Sequence, residues 1–214
     1  MNLSSSGGNQ GVITAPEKTT YDLLLEDHMV TIIFFFWTFV TLFAIIGAMR
    51  GWAKEMLVTF SLVLAIFIMQ VALAYIGPVK KLWDAMSGSS QFYAASLVMI
   101  MFALFGYHTP SAQGVGKRLS GGGTGSARNW LQGAMLGGIL GAGNGYLLVG
   151  TIWFFLNLAK YPLPEWVLTP PVEGTAAGDA AIKLLQWLPP LWLEAPVIYF
   201  VVAVVFTFVI IVLI

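Results

Sequence analysis

The chain has 214 residues, of which 58% are hydrophobic and 9% charged, against roughly 45–50% and about 25% in an ordinary soluble domain. That balance excludes a soluble globular enzyme as the default, and a formal net charge of zero leaves no electrostatic footprint for nucleic acid. The absence of cysteine excludes disulfides, thiolate zinc sites, iron–sulfur clusters and cysteine nucleophiles together.

Residues 1–28 form a polar tail opening with Ser4-Ser5-Ser6-Gly7-Gly8. It lacks the basic flank, short apolar core and cleavage site of a secretory signal, so the first span is expected to stay as an anchor. Crossing a ~30 Å hydrocarbon core takes about 20 apolar residues in a helix, and uncharged windows predict such helices near 29–49, 56–77, 92–110, 131–158 and 195–214. Runs such as Ile32-Ile33-Phe34-Phe35-Phe36-Trp37 lack the period-two alternation of barrel strands. The expected fold is therefore an all-α, polytopic transmembrane helix bundle with about five spans plus short interfacial helices.

Between the first two spans, Arg50-Gly51-Trp52-Ala53-Lys54-Glu55 reads as a basic hairpin at headgroup level anchored by Trp52, with Arg50, Trp52 and Lys54 meeting lipid headgroups or docking a cytoplasmic partner. Arg50 and Lys54 would repel at helical spacing by a few tenths of a kcal/mol, so phosphate or Glu55 is expected to compensate. After Pro78, the residues Val79, Leu82, Trp83 and Met86 recur at i, i+3, i+4, i+7, with Lys80, Lys81 and Asp84 opposite, the pattern of a short interfacial helix. The 111–130 loop holds Lys117, Arg118 and Arg128, which suit anionic lipid headgroups. Gly114-Val115-Gly116-Lys117-Arg118 is not a phosphate loop, since Ser111 and Arg118 stand where that motif needs glycine and Ser or Thr.

In the fourth span Gly133, Gly137, Gly141 and Gly145 recur every four residues. Such a ridge lets another helix approach closely, either within this chain or across an oligomer. The 159–194 loop, with six of the ten prolines and Trp166, Trp187 and Trp192, reads as a structured extracytoplasmic cap on the lipid surface, containing an amphipathic helix near 179–188 that Pro189-Pro190 closes. Glu194 and Pro196 suit the start of the last span.

Basic residues concentrate in 50–55 and 111–130, five bases to one acid, against five bases to nine acids elsewhere. This orients those loops to the cytoplasm, with the N-terminus outside and the C-terminus at the cytoplasmic face. The trimmed spans contain no Asp, Glu, Lys or Arg, which counts against a pump or coupled transporter. Gln70, Asn144 and Asn157 are expected to bond neighbouring helices. His28 and His108 fall on opposite faces, on the order of 30 Å apart, and cannot share a metal; neither has an identifiable nucleophile and carboxylate partner. No catalytic residue, metal site or cofactor is expected.

Two segments carry a family resemblance: Gly47-Ala48-Met49-Arg50-Gly51-Trp52-Ala53-Lys54-Glu55-Met56-Leu57, and Arg128-Asn129-Trp130-Leu131-Gln132-Gly133 leading into the glycine-rich span. Over residues 29–158 the chain resembles the colicin V production (CvpA-like) membrane proteins. The resemblance implies a four-span bacterial inner-membrane module without an agreed biochemical activity, associated with export of a peptide toxin. The polar tail, the 159–194 loop and the fifth span at 195–214 are departures from it. The expected role is a non-enzymatic helix-packing or assembly subunit, with membrane lipids and other transmembrane helices as partners. The alternatives are an accessory subunit of a respiratory or photosynthetic membrane complex, and a component of an export or channel system.

Overall fold

The computed structural model describes residues 32–108, 127–164 and 167–213. Among them every regular element is a helix: α1 (Ile32–Arg50), α2 (Trp52–Tyr75), α3 (Gly77–Ala85), α4 (Gly88–His108), α5 (Ala127–Leu158), α6 (Ala176–Leu185), the single turn α7 (Pro189–Trp192) and α8 (Val197–Leu213). Helices α1, α2, α4 and Trp130–Leu158 of α5 are each long and apolar enough to cross a membrane. Among the described residues a fifth crossing is reached when Ala176–Trp192 and Val197–Phe208, bent by 63°, are taken as one broken span, in keeping with the expected total of about five spans.

Gly51 alone separates α1 from α2. Its φ of 84° with ψ of 153° lies in a region essentially reserved for glycine, and the hydrogen-bond ladder runs across it, from Gly51 N to Gly47 O (2.9 Å) and from Glu55 N to Gly51 O (3.4 Å). Helix α2 ends where Ile76 turns extended, and Pro78 then opens α3, a position where its missing N–H costs nothing. Helix α3 has no buried residue; Lys80 and Asp84 pair at 3.3 Å on its surface. Trp83 meets the Phe155 ring, centroids 6.2 Å apart.

Helix α5 is the centre of the bundle and packs against α1, α2 and α4. Its 32 residues extend ~48 Å at helical rise, against ~28 Å for the 19 residues of α1. One core lies among Val58, Leu62, Met99, Leu147 and Ile198. A second, toward the opposite end from Gly51, gathers Phe36, Phe92, Trp153, Leu156 and Leu188.

At that opposite end residues 159–164 and 167–196 form a cap folded onto the bundle. Pro189 sits so close to α5 that a Cβ at Gly150 would come within 2.7 Å of its ring. Gln70 of α2 donates to the Leu193 carbonyl (2.6 Å). Tyr146 of α5 donates to the Trp187 carbonyl and accepts from Trp192 Nε1 (3.0 Å). Helix α6 starts at Thr175, whose Oγ1 accepts from Gly178 N (3.0 Å), leaving fewer orphan donors at its N-terminus.

Candidate functional site

The Gly51 end holds a buried polar cluster drawn from four helices. Glu55, one turn into α2, is fully buried, and its carboxylate has a partner on each oxygen. Arg50 Nη1 lies 2.8 Å from Oε1; Asn144 Nδ2 of α5 donates to Oε2 at 2.9 Å, and Tyr107 of α4 donates to the same oxygen at 3.4 Å. Asn144 Nδ2 also reaches the Glu55 carbonyl (3.0 Å), and Thr59 Oγ1 donates to Asn144 Oδ1 (2.7 Å). Arg50 is further held by the Tyr107 carbonyl (3.3 Å) and by the Tyr107 ring, 4.2 Å from the guanidinium carbon.

The local sequence explains this convergence. With Gly51 as the whole connection, Arg50 and Glu55 come together across the turn. Removing a carboxylate from water costs several kcal/mol unless its lone pairs are satisfied. Here an arginine, an amide and a phenol satisfy them, each from a different helix. Nearby, α2 and α4 pack closely through Gly106, where a Cβ would come within 2.9 Å of the Val58 Cα.

These contacts correct one sequence expectation. Glu55 is not a loop residue: α2 begins at Trp52 rather than near 56, so a buried carboxylate does lie within a membrane-length helix. Of the two groups expected to offset the Arg50 charge, phosphate or Glu55, the structure pairs Glu55 with it; the guanidinium is also engaged by Tyr107, and the side chain is 24% exposed. Trp52 is half-buried and Lys54 exposed. Arg128 falls in the first turn of α5, while Lys117 and Arg118 lie outside the described residues, as does the whole 1–28 tail with His28. His108 is the exposed last residue of α4, and Asn157 is exposed. Asn144 bonds α2, whereas Gln70 bonds the turn after α7.

The glycine ridge of α5 faces α1 over part of its length. A Cβ on Gly137 would overlap the Gly47 carbonyl oxygen, and one on Gly141 the Phe43 carbonyl oxygen; at Gly145 it would come within 2.9 Å of Phe43 Cβ. Gly133 meets nothing within 4 Å, because α1 has already ended. Gly47 is the counterpart on α1, unread in the sequence because a lone Gly47/Gly51 pair at a span's end looks like turn chemistry. The hydroxyls of Ser96 and Thr151 are buried without a hydrogen-bond partner.

No protein-family model, curated protein or solved structure matches the chain. The chemistry of its own residues carries the functional reading.

Proposed function

We propose that this protein is a non-enzymatic, multi-pass subunit of the bacterial cytoplasmic membrane, CvpA-like over residues 29–158, that acts by helix packing and assembly. The observation that carries the reading is the occupancy of Glu55: both carboxylate oxygens are taken by groups from this same chain. A carboxylate serving transport needs an oxygen open to its cargo or to water, whereas this one ties α1, α2, α4 and α5 together. The backbone-level approach of α1 and α5 supports the same role, since close van der Waals packing is what associates helices in lipid. In this reading the Gly51 end is cytoplasmic, and Lys54, Lys117, Arg118 and Arg128 contact anionic headgroups or a partner.

A second reading, an accessory subunit within a larger membrane complex, is favoured by the start of α5, where among the described residues Trp130 is 73% exposed and Gly133 meets no neighbour. Native mass spectrometry of gently solubilised native membranes tests the two. The packing subunit is expected alone or as a homo-oligomer with bound lipid; a stoichiometric set of cofactor-bearing partners would overturn it in favour of the accessory subunit.

A further inference from the structure

Helices α1 and α5 touch backbone to backbone at Gly47, Gly137 and Gly141 and are held apart by larger side chains toward the cap, where the Phe36 and Trp153 rings stand 5.4 Å apart. The resulting wedge contains a groove of about 210 Å³, walled by Phe39, Ile152 and Leu156 among others and, from the cap, by Leu163, Val167 and Leu168. Its wall is wholly apolar. The one nearby polar tip, Trp153 Nε1, is turned to Tyr161 Oη at 3.1 Å.

We propose that this groove seats one acyl chain of an anionic phospholipid, with the lipid phosphate at Lys160. Water finds no hydrogen bond there; apolar cavities of ~150 Å³ stay dry and admit hydrocarbon. The groove lies between two helices of membrane-crossing length, so hydrocarbon chains are what its open side meets, and the cap bounds how far a chain can enter. Lys160 stands in the chain between Leu156 and Leu163, both lining residues. It is exposed, and among the described residues no acid pairs with it. Lys160 and Tyr161 both take left-handed backbone, φ 57° and 54°. Two consecutive non-glycine residues in that region are held by their surroundings against their own preference. Here the holders are the Tyr161 N–H to Leu156 carbonyl bond (3.0 Å) and the Trp153–Tyr161 bond. The turn thus fixes the backbone of the lysine between two residues that line the groove.

The test uses the full chain in vesicles of equimolar phosphatidylcholine and phosphatidylglycerol. These carry a trace of either lipid with a photoreactive diazirine in mid-chain, and adducts are mapped by mass spectrometry. Adducts should concentrate on Phe39, Ile152 and Leu156 over the outward-facing Phe34, Trp37 and Ile139. The phosphatidylglycerol probe should label the groove about fivefold more than the phosphatidylcholine probe, the factor for one lysine at an anionic surface. Lys160→Gln should abolish that preference and leave the adduct positions unchanged. Val149→Phe, filling the groove from α5, and Val167→Phe, filling it from the exposed cap, should each remove the Ile152 adducts. Uniform labelling of exposed and groove residues would overturn the proposal. So would equal labelling by the two probes, a preference that survives Lys160→Gln, or Ile152 adducts that persist in the folded Val167→Phe protein.

Discussion

The same substitution at two glycines of one ridge should have opposite effects. At Gly141 a Cβ would overlap the Phe43 carbonyl oxygen and come within 3.0 Å of Gly47 Cα; both are backbone atoms that cannot rotate aside. At Gly133, two turns earlier, it would meet nothing within 4 Å. Replacing glycine by alanine inside a helix gains ~0.5–1 kcal/mol in propensity at either site, so this gain cancels in the comparison. What remains is overpacking, ~1–3 kcal/mol. Separating α1 and α5 by ~0.5–1 Å also forfeits a quarter to a half of each contact well along the seam, and lipid supplies no hydrophobic compensation. Gly133→Ala should therefore be neutral or up to ~1 kcal/mol more stable, and Gly141→Ala should fall below it by ~1–3 kcal/mol. Unfolding in mixed micelles titrated with sodium dodecyl sulfate, followed by tryptophan fluorescence, measures the difference. Equal stability of the two variants would refute backbone contact between α1 and α5.

Other perturbations test the polar cluster and the cap. Glu55→Ala leaves Arg50 and Asn144 without their carboxylate and should cost about 3–5 kcal/mol. The double replacement Glu55→Met with Arg50→Met should recover most of that loss in the same titration. Burial raises the Tyr161 phenol above its ordinary range, outweighing the Trp153 hydrogen bond that lowers it. The unfolded chain then loses its proton first, so the stability from this group is fully present below pH ~10 and is lost as pH rises beyond it. Tyr161→Phe should flatten that alkaline decline in a thermal-shift series. Asp84→Asn removes an exposed pair on α3 and should change stability by less than ~0.5 kcal/mol, as read by the same thermal shift.

Much of the bundle was legible because charge is so sparse: long uncharged windows place α1, α2, α4 and α5, and the four-residue apolar spacing places α3. A helix near 179–188 was legible, although α6 runs from Ala176, capped by the Thr175 side chain, only to Leu185, and Pro189-Pro190 opens the turn α7 rather than closing α6. The site was less so. Trimming the second span to begin at 56 hid Glu55, since a charged six-residue stretch reads as a loop unless one knows that Gly51 makes the whole turn. The Arg50–Lys54 repulsion nonetheless points to phosphate or Glu55 as the relieving group, and it is Glu55 that pairs with Arg50. Tyr107 and Asn144 lie 52 and 89 residues from Glu55 in sequence; only the packing of α4 and α5 against α2 brings them to it. Gly106 and Gly150 are similar cases, single glycines whose purpose appears only when Val58 or Pro189 is seen against them.

The one-residue connection at Gly51 also bears on how the chain enters a membrane. With no slack between them, α1 and α2 cannot be delivered one after the other as independent segments. They would enter together, with Arg50 and Glu55 paired at the turn between them. The Arg50–Glu55 pair needs only these two helices, so it can close before α4 and α5 arrive. Tyr107 and Asn144 then meet a charge that is already neutralised.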